Sequence, residues 1–133
     1  MKVSLINKKK VASPKEIEVI KTFVNYLSKE MPLHDDLTIN LLPKREGQMT
    51  TGVRRPKNDI SVLFSNRLLI DILRTISHEW IHEYQHQKMG LKDNDKIQDI
   101  GGPEENMANV LSGVFIKKFQ KQYNEFESFL YNE

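Results

Sequence analysis

The chain has no cysteine. That excludes disulfide staples, thiolate nucleophiles and cysteine metal sites, so any metal must be held by histidine or carboxylate side chains. Closed structural zinc sites usually rely on cysteine, and a metal centre here is expected to be of the open, catalytic kind. No run of eighteen apolar residues is present, so no membrane-spanning helix is expected. The segment from Met1 to Lys10 lacks the apolar run and small-residue cleavage site of a secretion signal, which gives a cytoplasmic protein as the expectation. Neither sign of charge dominates: 20 Lys and Arg oppose 18 Asp and Glu, a net charge of +2. The short basic clusters Lys8-Lys9-Lys10, Arg54-Arg55 and Lys117-Lys118 lack the interleaved aromatics of a single-strand binding surface. They read as solvated surface, and nucleic acid is not the expected partner. Repeats and low-complexity segments are missing too. The 133 residues, 38% of them apolar and 29% charged, suit one domain spanning residues 1–133.

What is present begins with a helix from Ser13 or Pro14 to about Glu30. Ser13 suits the N-cap, Pro14 the first helical position, and Glu16 completes a capping box. Ile17, Ile20, Val24 and Leu27 make its apolar stripe, with Val19 and Phe23 beside it. Three short strands follow: Leu37–Leu42, Met49–Arg54 and Ile60–Phe64, separated by turns at residues 43–47 and 56–59. Such spacing predicts a small, mostly antiparallel three-stranded sheet. Gly52 inside the second strand marks a bulge or a close backbone approach. A further helix starts near Ser65 or Asn66 and ends before Gly90. After a polar connection from Leu91 to Gly102, a long last helix is expected from Pro103 to about Leu130. Met107, Val110, Leu111, Val114, Phe115, Phe119, Tyr123, Phe126 and Leu130 form its core face.

The most informative residues lie in the middle helix. His78-Glu79-Trp80-Ile81-His82 is an HExxH motif. Histidines four apart on a helix point the same way, so both imidazoles can reach one metal ion. Glu79 can then act as general base on a water activated by that metal. A third ligand is required. His86 extends the series but lies about 12 Å along the axis from His78, too far to share the ion. His34 sits in a turn. The last helix opens with Glu104 and Glu105. Ala108, Asn109 and Ser112 follow Glu105 on one face, a small polar stripe that lets this helix approach the motif helix closely. Glu105 is favoured over Glu104 on that ground, with Asn109 positioned to orient a ligand imidazole. For the residue that stabilises the transition-state oxyanion, Tyr84, His86, His34 and Tyr26 are all available and nothing in the sequence chooses among them; Tyr84 and His86 are candidates for oxyanion or substrate contacts.

HExxH followed by a helix opening Glu105-Asn106-Met107-Ala108-Asn109 resembles the gluzincin metallopeptidases, in particular the compact ImmA/IrrE-like group. The order of elements, helix, small sheet, motif helix and glutamate helix, is similar as well. The resemblance implies an α+β zincin-like fold and one zinc ion held by His78, His82 and Glu105. It also implies Glu79 as general base and a protein or peptide as substrate. It carries the peptidase core rather than the family's regulatory roles, because no helix-turn-helix pattern accompanies these elements. SprT-like DNA-linked proteases are a second comparison, but they use a histidine downstream of HExxH, and none follows His86. A zinc-binding interaction module without catalysis is the remaining alternative.

Overall fold

A computed structural model of the chain describes residues 1–47, 49–91 and 102–131. The expected connection at residues 92–101 lies outside them. The elements run β1 (Val3–Ile6), α1 (Pro14–Glu30), β2 (Leu37–Leu42), β3 (Gly52–Arg55), β4 (Asp59–Leu63), α2 (Leu69–Lys88) and α3 (Pro103–Gln122), then a 3-10 turn (Asn124–Phe126) and a short α4 (Glu127–Leu130). The fold class is α+β, as expected. No helix among the described residues is long and apolar enough to cross a membrane.

The sheet corrects the expectation in two ways. It has four strands, in the order β1-β2-β4-β3, and its pairing is mostly parallel: β1 with β2 and β2 with β4 are parallel, and only β3 with β4 is antiparallel. β1 is four residues long, with Val3 and Leu5 packed against the core. Helix α1 is the crossover between β1 and β2, and a helical crossover of this kind joins parallel neighbours. The turn after β2 reverses the chain, yet β3 forms its hairpin with β4 instead. Lys57 and Asn58, both in the left-handed region, close that hairpin. β3 is therefore an edge strand, and it lies against α2.

Helix α1 starts as its residues dictate. Glu16 N–H donates to Ser13 Oγ (3.2 Å), Ser13 N–H donates to Glu16 Oε1 (2.9 Å), and Pro14 occupies the first turn. Its buried face is Val19, Ile20, Phe23, Val24, Tyr26 and Leu27. Helix α2 begins later than the expected Ser65 or Asn66. Leu68 is the N-cap without a side-chain bond, and Asn66 takes a left-handed conformation (φ 62°). Trp80 is fully buried, and its indole N–H donates to Met31 O (2.9 Å), tying the middle of α2 to the end of α1.

Helix α3 stops at Gln122 rather than continuing to Leu130. Its buried face also differs from the expected one: Ala108, Ser112, Phe115, Ile116 and Phe119 are buried, whereas Val110 and Val114 are 65% and 38% exposed. Backbones approach closely where side chains are small, so the Ala108/Ser112 stripe turns α3 toward α2 and rotates the two valines outward. This rotation carries Glu105 to the HExxH residues.

Candidate metal centre

His78, His82 and Glu105 meet at one point. His78 Nε2 lies 3.2 Å from His82 Nε2 and 2.9 Å from Glu105 Oε1, and His82 Nε2 lies 3.1 Å from Glu105 Oε2. The three residues each offer a ligand atom, all within 4.8 Å of one another. Ligand atoms held tetrahedrally at 2.0–2.1 Å from an ion sit about 3.3 Å apart, so the triangle has the size such an ion needs.

The hydrogen-bond chemistry behind the triangle points the same way. Gln85 is 1% exposed, and its amide nitrogen donates to the backbone carbonyl of Glu104 (2.9 Å). A carbonyl can only accept, so the Gln85 amide is oriented with Oε1 toward His82 Nδ1, 2.8 Å away. That oxygen also only accepts, which assigns the proton to Nδ1 and leaves the lone pair of a neutral His82 on Nε2. Burial, followed by the neighbouring His82, lowers the pKa of His78, with Glu105 opposing; this favours the neutral ligand form. Two imidazole nitrogens and a carboxylate thus converge on one point, and the donor set fits a divalent cation.

Glu79 stands beside the triangle. Burial pushes its carboxyl up to about 7, opposed by His82 and reinforced by Glu105, while the Arg54 backbone N–H, donating to the carboxylate, and the Arg54 charge pull it back down. The edge strand β3 comes close because of Gly52. A Cβ there would stand 2.5 Å from Thr75 Cγ2 and 3.2 Å from Glu79 Cγ. Of the two expectations for Gly52, the close approach is the one observed. Behind it, Arg54 Nε pairs with Glu83 Oε1 at 2.7 Å, with side chains only 7% and 0% exposed, and fastens β3 to α2.

A cleft of about 390 Å³ opens on His78 and Glu79. The first half of α2 lies along it, with residues 50–52 and the Asn109 and Ser112 positions of α3 also lining it. Asn109 is exposed in this wall, and among the described residues it makes no hydrogen bond to either imidazole. The orienting role expected of it belongs to Gln85. Sequence reasoning missed Gln85, although its position three after His82 was a signal, since i and i+3 share a helix face.

The expected oxyanion and substrate contacts do not come to this cleft. Tyr84 packs partly buried against the core, and His86 lies farther along α2; neither lines the cavity. Tyr26 stacks among Phe23, Phe115 and Phe119, with burial and then Glu30 raising its phenol to about 12. His34 is exposed, its backbone N–H donating to Gln87 Oε1 (2.7 Å).

Comparison of the chain with protein-family models, with curated proteins and with solved structures finds no match.

Proposed function

We propose that the protein is a zinc-dependent metallopeptidase, a minimal zincin-like enzyme of the gluzincin kind that the Glu105-x-x-Ala108-Asn109 pattern resembles. The observation that carries this reading is the convergence of His78 Nε2, His82 Nε2 and the Glu105 carboxylate, with Gln85 dictating a bare lone pair on His82. Two histidines and one carboxylate suit zinc, and three protein ligands leave a coordination position open. Zinc bound there supplies Lewis acidity and makes a water nucleophilic near neutral pH.

The chain's own residues supply the rest. Glu79 faces the cleft one residue from a ligand, and its carboxylate takes the proton from the attacking water and hands it to the leaving amine nitrogen. A carboxyl whose burial moves its pKa toward neutrality suits both transfers. The edge strand β3 and the cleft beside it, lined by residues 50–52, offer an extended peptide a strand to align with. Asn109 offers a hydrogen-bonding side chain on the opposite wall.

The open cleft beside Glu79 weighs against a purely structural metal module. The nucleic-acid reading gains little. Lys8, Lys9, Lys44 and Arg55 share a groove beside the sheet, but Arg55 is engaged by Ser61 Oγ and Asp59, and Lys117 lies on α3 away from that groove.

The decisive test is Glu79→Gln with zinc content and peptide hydrolysis measured together. One zinc per chain should remain, with hydrolysis lowered by at least 10²-fold. Undiminished cleavage would remove Glu79 from the mechanism, and a wild-type protein that takes up no zinc would overturn the reading altogether.

A further inference from the structure

Two arginines line the cleft and a third lies beside it. Arg67 is held rigidly: Nη1 donates to Leu63 O (2.7 Å), and Nη2 donates to Asp71 O (3.0 Å) and Thr75 Oγ1 (2.7 Å). All three acceptors are uncharged, so two of the five guanidinium N–H donors remain for a ligand, with Asp71 the acid whose charge Arg67 feels. Arg74 also lines the cleft, bonded to Asp71 Oδ1 at 2.8 Å. Arg45 sits at the rim, its Nε donating to Thr50 O (2.7 Å), close enough to Arg67 to act on its charge. Three guanidinium groups thus stand against two cleft carboxylates, Asp71 and Glu79.

We propose that this cleft selects substrates by a carboxylate placed one or two residues from the scissile bond; the proposal rests on the peptidase reading of the same site. The spacing follows from the helix. The Arg67 guanidinium touches Thr75, three residues and so about 4.5 Å along the axis from His78. An extended peptide advances about 3.3 Å per residue, which sets the carboxylate within two positions of the bond at the metal. Arg67 is pre-organised for this because its fork is already fixed by three hydrogen bonds, so little rotamer freedom is lost when an anion docks. Arg74 and Arg45 add steering charge at the exposed end. Two sources of the carboxylate fit: an Asp or Glu side chain within a chain, or the C-terminal carboxylate of a short peptide.

The experiment uses zinc-loaded Glu79→Gln protein, which binds without cleaving, and fluorescent peptides matched except at one position. The peptides carry Glu or Gln at each of the two positions on either side of a fixed central bond, each made with a free and an amidated C-terminus. Binding is expected to be on the order of tenfold tighter for Glu than Gln at one of these positions, with the advantage shrinking as salt is raised. Preference for the free terminus alone would assign the carboxylate to the peptide end, and preference for Glu in amidated peptides would assign it to a side chain. Arg74→Glu, an exposed change that spares the Arg67 bonds, should reduce the preference at least threefold, and Arg45→Gln should reduce it further. Equal binding of Glu and Gln peptides, with free and amidated ends alike, overturns the proposal. Acid-selective binding without turnover by wild-type protein would leave it standing and sink the peptidase reading instead.

Discussion

Gln85 shows how one neutral side chain can decide the chemistry of a neighbour. Its amide can be turned only one way, because Glu104 O accepts from the nitrogen end, and that orientation fixes the His82 tautomer. It also joins a ligand on α2 to the start of α3, next to the third ligand. Replacing it with leucine keeps the volume but frees the imidazole to turn and to place its proton on either nitrogen. Gln85→Leu is therefore expected to lower zinc affinity by about 10–100-fold. Competition with a chromophoric chelator measures this directly. An affinity within twofold of wild type would show that packing alone orients His82.

Between elements, the site depends on how near β3 comes to α2. Gly52 sets that distance, because a methyl group there would press on Thr75 Cγ2 and Glu79 Cγ. Thr75 is β-branched and helical, so its methyl cannot swing away cheaply. Gly52→Ala should force the strand outward, destabilise the fold by about 1–3 kcal/mol and displace Glu79. Hydrolysis is then expected to fall by roughly 10²-fold, while zinc affinity stays near wild type, since β3 provides no ligand. Adding Thr75→Ser removes the offending methyl and keeps the hydroxyl that accepts from Arg67. The double variant should regain stability and activity, and purely additive losses would refute the steric account. The same elements mark where sequence was readable. The HExxH helix and the Glu105 helix declared themselves through periodicity and the spacing of charged and small residues. The parallel pairing did not, because parallel partners meet across a whole helix and no local residue records the meeting. β1 is too short to show its alternation, and Val110 and Val114 were misassigned because hydrophobicity alone ignores the preference of close helix packing for Ala108 and Ser112. Gly52 was recognisable as a special position, whereas its partner Thr75 became visible only once the strand was seen against the helix.

Across the whole molecule, the candidate metal ligands divide between two helices. His78 and His82 come from α2 and Glu105 from α3, with β3 fastened to α2 by the buried Arg54–Glu83 pair. Without a cation, His82 Nε2 and Glu105 Oε2 meet at 3.1 Å and are joined only when a proton lies between them. Bound zinc would bridge the two side chains and close a link between residues 23 positions apart in the sequence. A ligand that binds only the folded chain adds about 4 kcal/mol of stability at a thousandfold excess over its dissociation constant. For a chain of this size each kcal/mol shifts the midpoint by about 3–5 °C, so zinc should raise Tm by about 12–20 °C and a chelator should reverse it. Glu105→Ala should remove most of this shift, whereas Glu79→Gln should retain it if, as proposed, Glu79 serves the substrate and not the metal. Differential scanning calorimetry with and without zinc separates the two roles: a full shift in Glu105→Ala would exclude that residue as a ligand, and a lost shift in Glu79→Gln would mean that its carboxylate holds the ion.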